Sequence, residues 1–120
     1  LTGNAIRVPT PNVSLAVMSL TVEKNPINKN DVNEFLRKTA FKSKYREIVG
    51  FVNSTEIVSS DFYSSPFASV IDSQATIVSN NKITLYCWYD NEYGYSVQVV
   101  NLVKNIAGIN LIRLPVKVWN

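Results

Sequence analysis

One stretch is more informative about the fold than any other, Trp88-Tyr89-Asp90-Asn91-Glu92-Tyr93-Gly94-Tyr95-Ser96, and it joins a predicted strand to a predicted helix. Aromatic side chains, an Asp-Asn-Glu triplet and a glycine are crowded into it. This composition is poor for a helix interior and unusual for a plain solvent loop. It is typical of a strand end that presents polar groups to a ligand and then caps the following helix.

The segments on either side of this stretch define its setting. Residues 69–78 are strand-like, Asn80-Asn81 is a credible two-residue hairpin turn, and alternating apolar positions predict a second strand over 83–89. A helix is predicted from about Glu92 to a stop at Gly108. Its buried stripe is predicted to contain Val99, Val100, Val103, Ile106 and Ala107.

The first half of the chain predicts one strand, one helix and a second strand. Met18, Leu20 and Val22 alternate with polar residues, which indicates a strand with one buried face, and Asn25-Pro26 ends it. Asn28 is predicted to cap a helix that ends near 41–45, with Asp31 favouring its positive end. We expect the inward face of this helix to carry Val32, Phe35, Leu36 and Thr39, and Asn33 to face water. A short strand at 48–52 and a loop over 53–67, with an extended piece at 57–59, follow.

These elements predict an α+β fold. The sheet is expected to be mostly antiparallel or mixed, with helices packed on one face, and the chain to end in an amphipathic helix and an extended tail. We expect one domain over residues 1–109 and a C-terminal extension over 110–120.

Composition excludes several classes of function. The single cysteine, Cys87, rules out an internal disulfide framework and suits a reducing compartment. The absence of histidine removes the commonest general base and metal ligand, so no metal site is expected. The net charge of +3 is scattered, which argues against nucleic acid as a partner. No apolar run approaches the roughly 20 residues that span a bilayer. The start, Leu1-Thr2-Gly3, reads like the middle of a longer chain.

A few side chains are suited to chemistry, and each has a plainer interpretation. Arg7 offers a planar charged fork for phosphate or forms a surface ion pair. The Asn91 amide suits a carboxamide ligand or caps the next helix, and Tyr95 forms a flat wall or packs in the core. Asp90 and Glu92 resemble an acid/base pair, but we expect them to point apart or to compensate backbone dipoles. Cys87 has no histidine partner, so a buried inert thiol is favoured over a nucleophile.

The stretch at 88–96 resembles the last active-site segment of the phosphorylating glyceraldehyde-3-phosphate dehydrogenases. A second stretch agrees, Leu1-Thr2-Gly3 through Arg7-Val8-Pro9-Thr10-Pro11-Asn12-Val13-Ser14, in the family's order. The resemblance implies that Arg7 binds substrate and inorganic phosphate. It implies that Asn91 holds the nicotinamide carboxamide of NAD or NADP, that Tyr95 lines the ring, and that Tyr89 lies near the reaction centre.

The same resemblance places this chain in the C-terminal third of such an enzyme. The Gly-rich dinucleotide fingerprint, the cysteine nucleophile segment and the catalytic histidine of the family do not occur in it, so no catalytic residue is assigned here. The family oxidises a phosphorylated aldehyde through a cysteine thioester and is tetrameric. An erythrose-4-phosphate enzyme of the same superfamily is a close variant. Cytoplasm or plastid stroma is the expected location.

Some departures from the family favour a second interpretation. The family usually has Arg at the position of Gln98 and Asp at that of Asn101, and it commonly stops before residues 110–120. The alternative is therefore a truncated, non-catalytic dehydrogenase-derived domain that serves as a structural subunit of a larger complex.

Overall fold

The computed structural model describes residues 8–23 and 28–109. The predicted break at Asn25-Pro26, the phosphate candidate Arg7 and the 110–120 tail lie outside the described residues. The elements within them, in chain order, are β1 (Ser14–Thr21), α1 (Lys29–Lys42), β2 (Val49–Val52), a 3-10 helix (Ser59–Phe62), β3 (Ser69–Ser79), β4 (Lys82–Tyr89) and α2 (Tyr93–Ile106).

The described strands form one mixed sheet in the order β1-β4-β3-β2. β4 pairs antiparallel with both β1 and β3, so Cys87 lies opposite Ala16 on one side and Ile71 on the other. β2 joins the far side of β3 in parallel. The predicted α+β class with a mixed sheet is confirmed, and the strand bounds differ mainly at β1, which begins at Ser14 rather than at Met18. The predicted buried face of β1 is wrong, because Met18 and Leu20 are exposed on this edge strand of the described sheet.

The β3–β4 hairpin turns at the predicted asparagines. Asn80 has φ 54°, and Lys82 pairs with Ser79 across the turn. Asparagine tolerates this left-handed conformation better than other non-glycine residues do, because its short polar side chain bonds locally. The hairpin fixes the register of β4 against β3, and this sets the position of the strand-to-helix junction that follows Tyr89.

Helix α1 begins at its predicted cap and covers one face of the sheet. The Asn28 side-chain oxygen accepts from the Asp31 N–H at 2.8 Å. Val32 and Leu36 pack against a buried cluster in the sheet that consists of Ile71, Ile83, Leu85 and Cys87. Burial of these apolar groups is the main stabilising contribution on this face.

The predicted inward face of α1 is wrong at two positions. Phe35 is 68% exposed. Asn33, expected to face water, is partly buried, and its Nδ2 donates to the Ser73 carbonyl at 2.9 Å. The register of β3 with β4 shifts between Asp72 and Ile77, so the Ser73 carbonyl lies where the helix can supply a donor. The helix face therefore follows Asn33, Leu36 and Ala40.

A second cluster lies on the opposite face of the sheet. It consists of Val13, Phe62 and Val70, with Trp88 packed against it. The Phe62 and Trp88 rings stack with centroids 5.4 Å apart and an interplanar angle of 12°. Because neighbouring residues of a strand point to opposite faces, Val70 and Ile71 serve different clusters.

The connection that brings Phe62 inward contains a short helix that the sequence did not predict. The predicted extended piece is present at Val58, whose backbone angles are extended, but a 3-10 helix begins at Ser59. The Asp61 carboxylate accepts from the Val58 N–H at 2.8 Å and caps this helix. The tight turn aims the Phe62 ring at Trp88, which an extended segment would not do.

Helix α2 ends as predicted but is not buried as predicted. Gly108 has φ 69°, and the N–H groups of Gly108 and Ile109 donate to the carbonyls of Asn105 and Lys104 at 3.1 and 2.9 Å, which is a Schellman motif. Yet Val103 is 60% exposed and Ile106 is 78% exposed. Among the described residues, α2 contacts the rest of the chain mainly through its first turns, at Gly94 and Gln98. The apolar stripe farther along the helix is therefore not packed against any described element. Neither described helix is long and apolar enough to cross a membrane.

Candidate functional site

Three segments meet at the end of β4, and the Asp90 carboxylate lies between them. Asp90 is only 2% exposed. Its Oδ2 accepts from Asn12 Nδ2 at 3.0 Å and from the Ser64 N–H at 2.9 Å. These two bonds connect the segment before β1 and the loop after the 3-10 helix to the strand-to-helix junction.

The other carboxylate oxygen of Asp90 caps helix α2. Its Oδ1 accepts from the N–H groups of Glu92 at 3.0 Å and Tyr93 at 2.9 Å. These amides belong to the turn that opens the helix, where N–H groups lack helical partners. The interpretation of Asp90 as a group that compensates backbone dipoles is confirmed.

The same contacts set the charge state of Asp90. The hydrogen bond from the Tyr93 N–H lowers the pKa of the carboxyl, burial partly opposes this, and the bonds from Ser64, Asn12 and Glu92 lower the pKa further. Asp90 is therefore an ionised acceptor at neutral pH and has no proton to donate to a substrate. Glu92 is exposed and contacts Asp90 through its backbone N–H, so the two carboxylates do not form an acid/base pair.

The Asn91 amide is left available by this arrangement. Because Asp90 caps α2, the alternative role of Asn91 as the N-cap is wrong. Asn91 is exposed, and its amide makes no hydrogen bond to any residue the structure describes. An amide with unused donors and an unused acceptor can bind a carboxamide reciprocally.

Two tyrosines lie at the same junction with different exposure. Tyr95 is 70% exposed on the first turn of α2, so the alternative of core packing is wrong in this chain. Tyr89 is the last residue of β4, lies opposite Ser14 and is partly buried. The structure thus brings Tyr89, Asn91 and Tyr95 to one strand end, while Arg7 lies outside the described residues.

Gly94 lies in close contact with the loop that precedes β3. A Cβ built on Gly94 would lie 2.6 Å from the Phe67 carbonyl oxygen and 3.3 Å from that of Ser65. One turn later, Gln98 Nε2 donates to the Pro66 carbonyl at 2.9 Å. The 62–68 loop and the start of α2 therefore form one tightly packed unit.

The sequence did not predict the residues that fix the conformation of the 8–13 segment, which precedes β1. Val13 has φ 71°, which is rare for a β-branched residue. Its N–H donates to Asn12 Oδ1 at 2.7 Å. Asparagine after proline is a turn signal that could have identified Asn12, but nothing in the sequence signals a left-handed valine.

Cys87 is an inert thiol by position. It is 2% exposed in the middle of β4, and burial raises the pKa of its thiol. Both features oppose a thiolate, which is the form that attacks electrophiles.

Substituting Cys87 therefore tests whether its thiol is a nucleophile or an inert buried group. We expect Cys87→Ala in the native chain to leave any turnover within about twofold and to cost about 1 kcal/mol of stability from the small cavity. Steady-state rates and urea unfolding measure both quantities. Loss of all activity with normal folding would overturn the assignment.

A separate cavity of about 360 Å³ lies between α1, β2 and the 62–67 loop. Its lining is mostly apolar, with Arg46 and Asp61 as the charged groups. The sequence predicted no functional role for any of its residues. Among residues 8–23 and 28–109, no group of three or more His, Cys, Asp or Glu side chains could hold a metal ion.

Comparison with known proteins agrees with the resemblance. A profile of the family "Glyceraldehyde 3-phosphate dehydrogenase, C-terminal domain" matches residues 1–91. A glyceraldehyde-3-phosphate dehydrogenase-like protein of Pseudomonas aeruginosa is 51% identical over 115 residues, which are 96% of this chain and 25% of that protein. Glyceraldehyde-3-phosphate dehydrogenase 1 of Drosophila melanogaster is 44% identical over 87% of this chain and 31% of its own length. The chloroplastic glyceraldehyde-3-phosphate dehydrogenase GAPB of Arabidopsis thaliana is 42% identical over 89% of this chain and 24% of its own length.

Proposed function

Since this chain belongs to the glyceraldehyde-3-phosphate dehydrogenase family, we propose that it is the C-terminal part of a phosphorylating dehydrogenase. Such an enzyme oxidises a phosphorylated aldehyde to an acyl phosphate, with NAD or NADP as the hydride acceptor. The observation that carries the proposal is the exposed Asn91 amide, which has no hydrogen bond within the described residues and lies at a junction fixed by buried Asp90.

The residues of this chain bind and orient the reactants in the proposed reaction. The Asn91 amide would hold the nicotinamide carboxamide, and the exposed ring of Tyr95 would line the nicotinamide ring. Arg7 would hold substrate or inorganic phosphate through its charged fork. Tyr89 would lie near the reaction centre. Holding the reacting groups in place lowers the entropic part of the barrier.

The covalent chemistry belongs to other parts of the proposed enzyme. An upstream cysteine would form the thioester with the substrate, and an upstream histidine would activate the thiol of that cysteine. The chain spans about a quarter to a third of the length of the relatives named above. We propose a homotetramer in a reducing compartment, either the cytoplasm or the plastid stroma. Residues 1–109 would be the catalytic-type domain and 110–120 an extension.

One assay tests the proposal. The native protein is purified, its intact mass and N-terminal sequence are determined, and NAD reduction is followed with glyceraldehyde 3-phosphate, with and without inorganic phosphate. Phosphate-dependent reduction by a chain about three times as long as this one supports the proposal. A mature chain near 13.5 kDa without such activity overturns it.

Two substitutions separate the proposed binding roles. We expect Asn91→Ala to raise the KM for NAD and Arg7→Ala to raise the KM for phosphate. Each effect should be about 10- to 100-fold, because a hydrogen bond to a charged or buried partner contributes about 1.5–3 kcal/mol. Steady-state titration of each ligand measures both constants. An Arg7→Ala enzyme with unchanged phosphate dependence would remove Arg7 from the site.

A structural subunit of a larger complex is the second candidate. The exposed apolar residues of α2, with Ile106 78% and Val103 60% exposed, favour it, since such a face is usually covered. An upstream half of the same chain would cover the helix equally well. The mass measurement separates the two, because the subunit requires a short mature chain.

A further inference from the structure

The Asp90 carboxylate has more partners than a helix cap needs. Two of its four hydrogen bonds serve the start of α2, and the other two come from Asn12 and Ser64, which lie 78 and 26 residues away along the chain. We propose that Asp90 is a positioning residue, which fixes the 8–13 segment and the 62–68 loop relative to Asn91. This inference rests on the proposed function.

The connection to Asn91 is covalent and short. Asp90 precedes Asn91 directly, and its bonds to the Glu92 and Tyr93 amides enclose Asn91 on both sides. The backbone of Asn91 therefore lies in a turn whose two ends are held by one buried carboxylate. A rigid turn limits the directions in which the exposed amide can point, and that preorganises it for a ligand.

The connection to the 8–13 segment is a two-bond bridge. Asn12 donates to Asp90 through Nδ2 and accepts from the Val13 N–H through Oδ1. Both ends of one amide are used, so the orientation of the Asn12 side chain is fixed. The same bond supports Val13 in its left-handed conformation, which is energetically unfavourable for a β-branched residue.

Ser64 joins the third segment in the same way. Its φ of 57° is left-handed, and its N–H donates to Asp90. The next residues, Ser65 and Phe67, supply the carbonyls that lie against Gly94. The carboxylate therefore secures the loop on which the first turn of α2 rests.

The test uses Asp90→Asn in the full native chain. The side-chain carbonyl oxygen of the variant can keep the two helix amides, while its NH2 group faces the Asn12 and Ser64 donors and cannot accept from them. We expect kcat/KM for NAD to fall about 100-fold, because misplacing a binding group by about 1 Å costs that much. Asp61→Asn is the matched control, since it makes the same loss of charge at an exposed cap away from Asn91.

A double variant that exchanges the side chains of residues 12 and 90 distinguishes a positioning role of Asp90 from a general loss of structure. In Asn12→Asp with Asp90→Asn, the new carboxylate accepts from both the new amide and the Val13 N–H, so the 12–90 bond returns with reversed polarity. We expect the swap to recover at least about tenfold of the lost kcat/KM, relative to Asp90→Asn alone. Urea unfolding and the dissociation constant for NADH are measured on each variant, so that activity is expressed per folded site.

Each result supports or overturns the inference. A fall in NADH affinity in the folded Asp90→Asn protein, with recovery in the swap, supports it. Wild-type kinetics per folded site, or no recovery in the swap, overturns it while the proposed function stands. A wild-type chain without phosphate-dependent NAD reduction overturns the proposed function, and the inference with it.

Discussion

Truncating Phe62 to alanine is expected to destabilise the native chain by about 3–5 kcal/mol, which is the usual cost of removing a buried aromatic ring. Phe62 is 7% exposed and stacks on Trp88 at 5.4 Å. Its neighbours Val13 and Val70 belong to strands of the sheet or their ends, so they cannot collapse into the space. The cavity would remain, and the dispersion contacts of the ring would be lost.

Urea unfolding of the purified native chain measures this effect. Phe35→Ala is the matched control, because it removes the same ring from a position that is 68% exposed and should cost less than about 1 kcal/mol. Equal losses for the two variants would show that Phe62 does not pack as described. Since Ser64 follows Phe62 closely, we also expect weaker NADH binding in the Phe62 variant.

The second large effect is expected at Gly94. In Gly94→Ala the new Cβ would lie 2.6 Å from the Phe67 carbonyl oxygen, a backbone atom that cannot rotate away. Overpacking of this kind costs about 1–3 kcal/mol or more, and the better helix propensity of alanine offsets about 1 kcal/mol. We expect a net loss of about 2 kcal/mol and a shift of the first turn of α2 away from the loop.

That shift should be visible in binding as well as in stability. Asn91 lies three residues before Gly94 and Tyr95 directly after it, so a shift of this turn would move both proposed cofactor-binding side chains. We therefore expect the KM for NAD to rise together with the loss of stability. Gly108→Ala is the control. Gly108 has φ 69°, but no atom of the described residues lies within 4 Å of a Cβ built on it, so we expect only the conformational cost of about 1–2 kcal/mol. A Gly94→Ala protein with wild-type stability and KM would contradict the close packing.

The sequence by itself determined the order and type of most elements. The Asn28 cap, the asparagine hairpin turn and the Gly108 stop are local signals, because each depends on the conformational preference of one residue and its near neighbours. The stretch at 88–96 likewise identified the strand-to-helix junction and Asn91 as a candidate binding residue within it. The alternation over 83–89 correctly predicted β4, and three of its apolar residues, Ile83, Leu85 and Cys87, are buried.

Tertiary structure decided what depends on partners distant in the chain. The side of α1 that faces the sheet follows from a carbonyl in β3, which Asn33 satisfies, and no periodicity shows that bond. The exposure of the α2 stripe follows from what packs beside the helix, so an amphipathic pattern predicts a face that needs cover but does not supply it. The convergence of Asn12, Ser64 and Asp90 is of the same kind, since a buried carboxylate is stable only where distant segments bring donors to it.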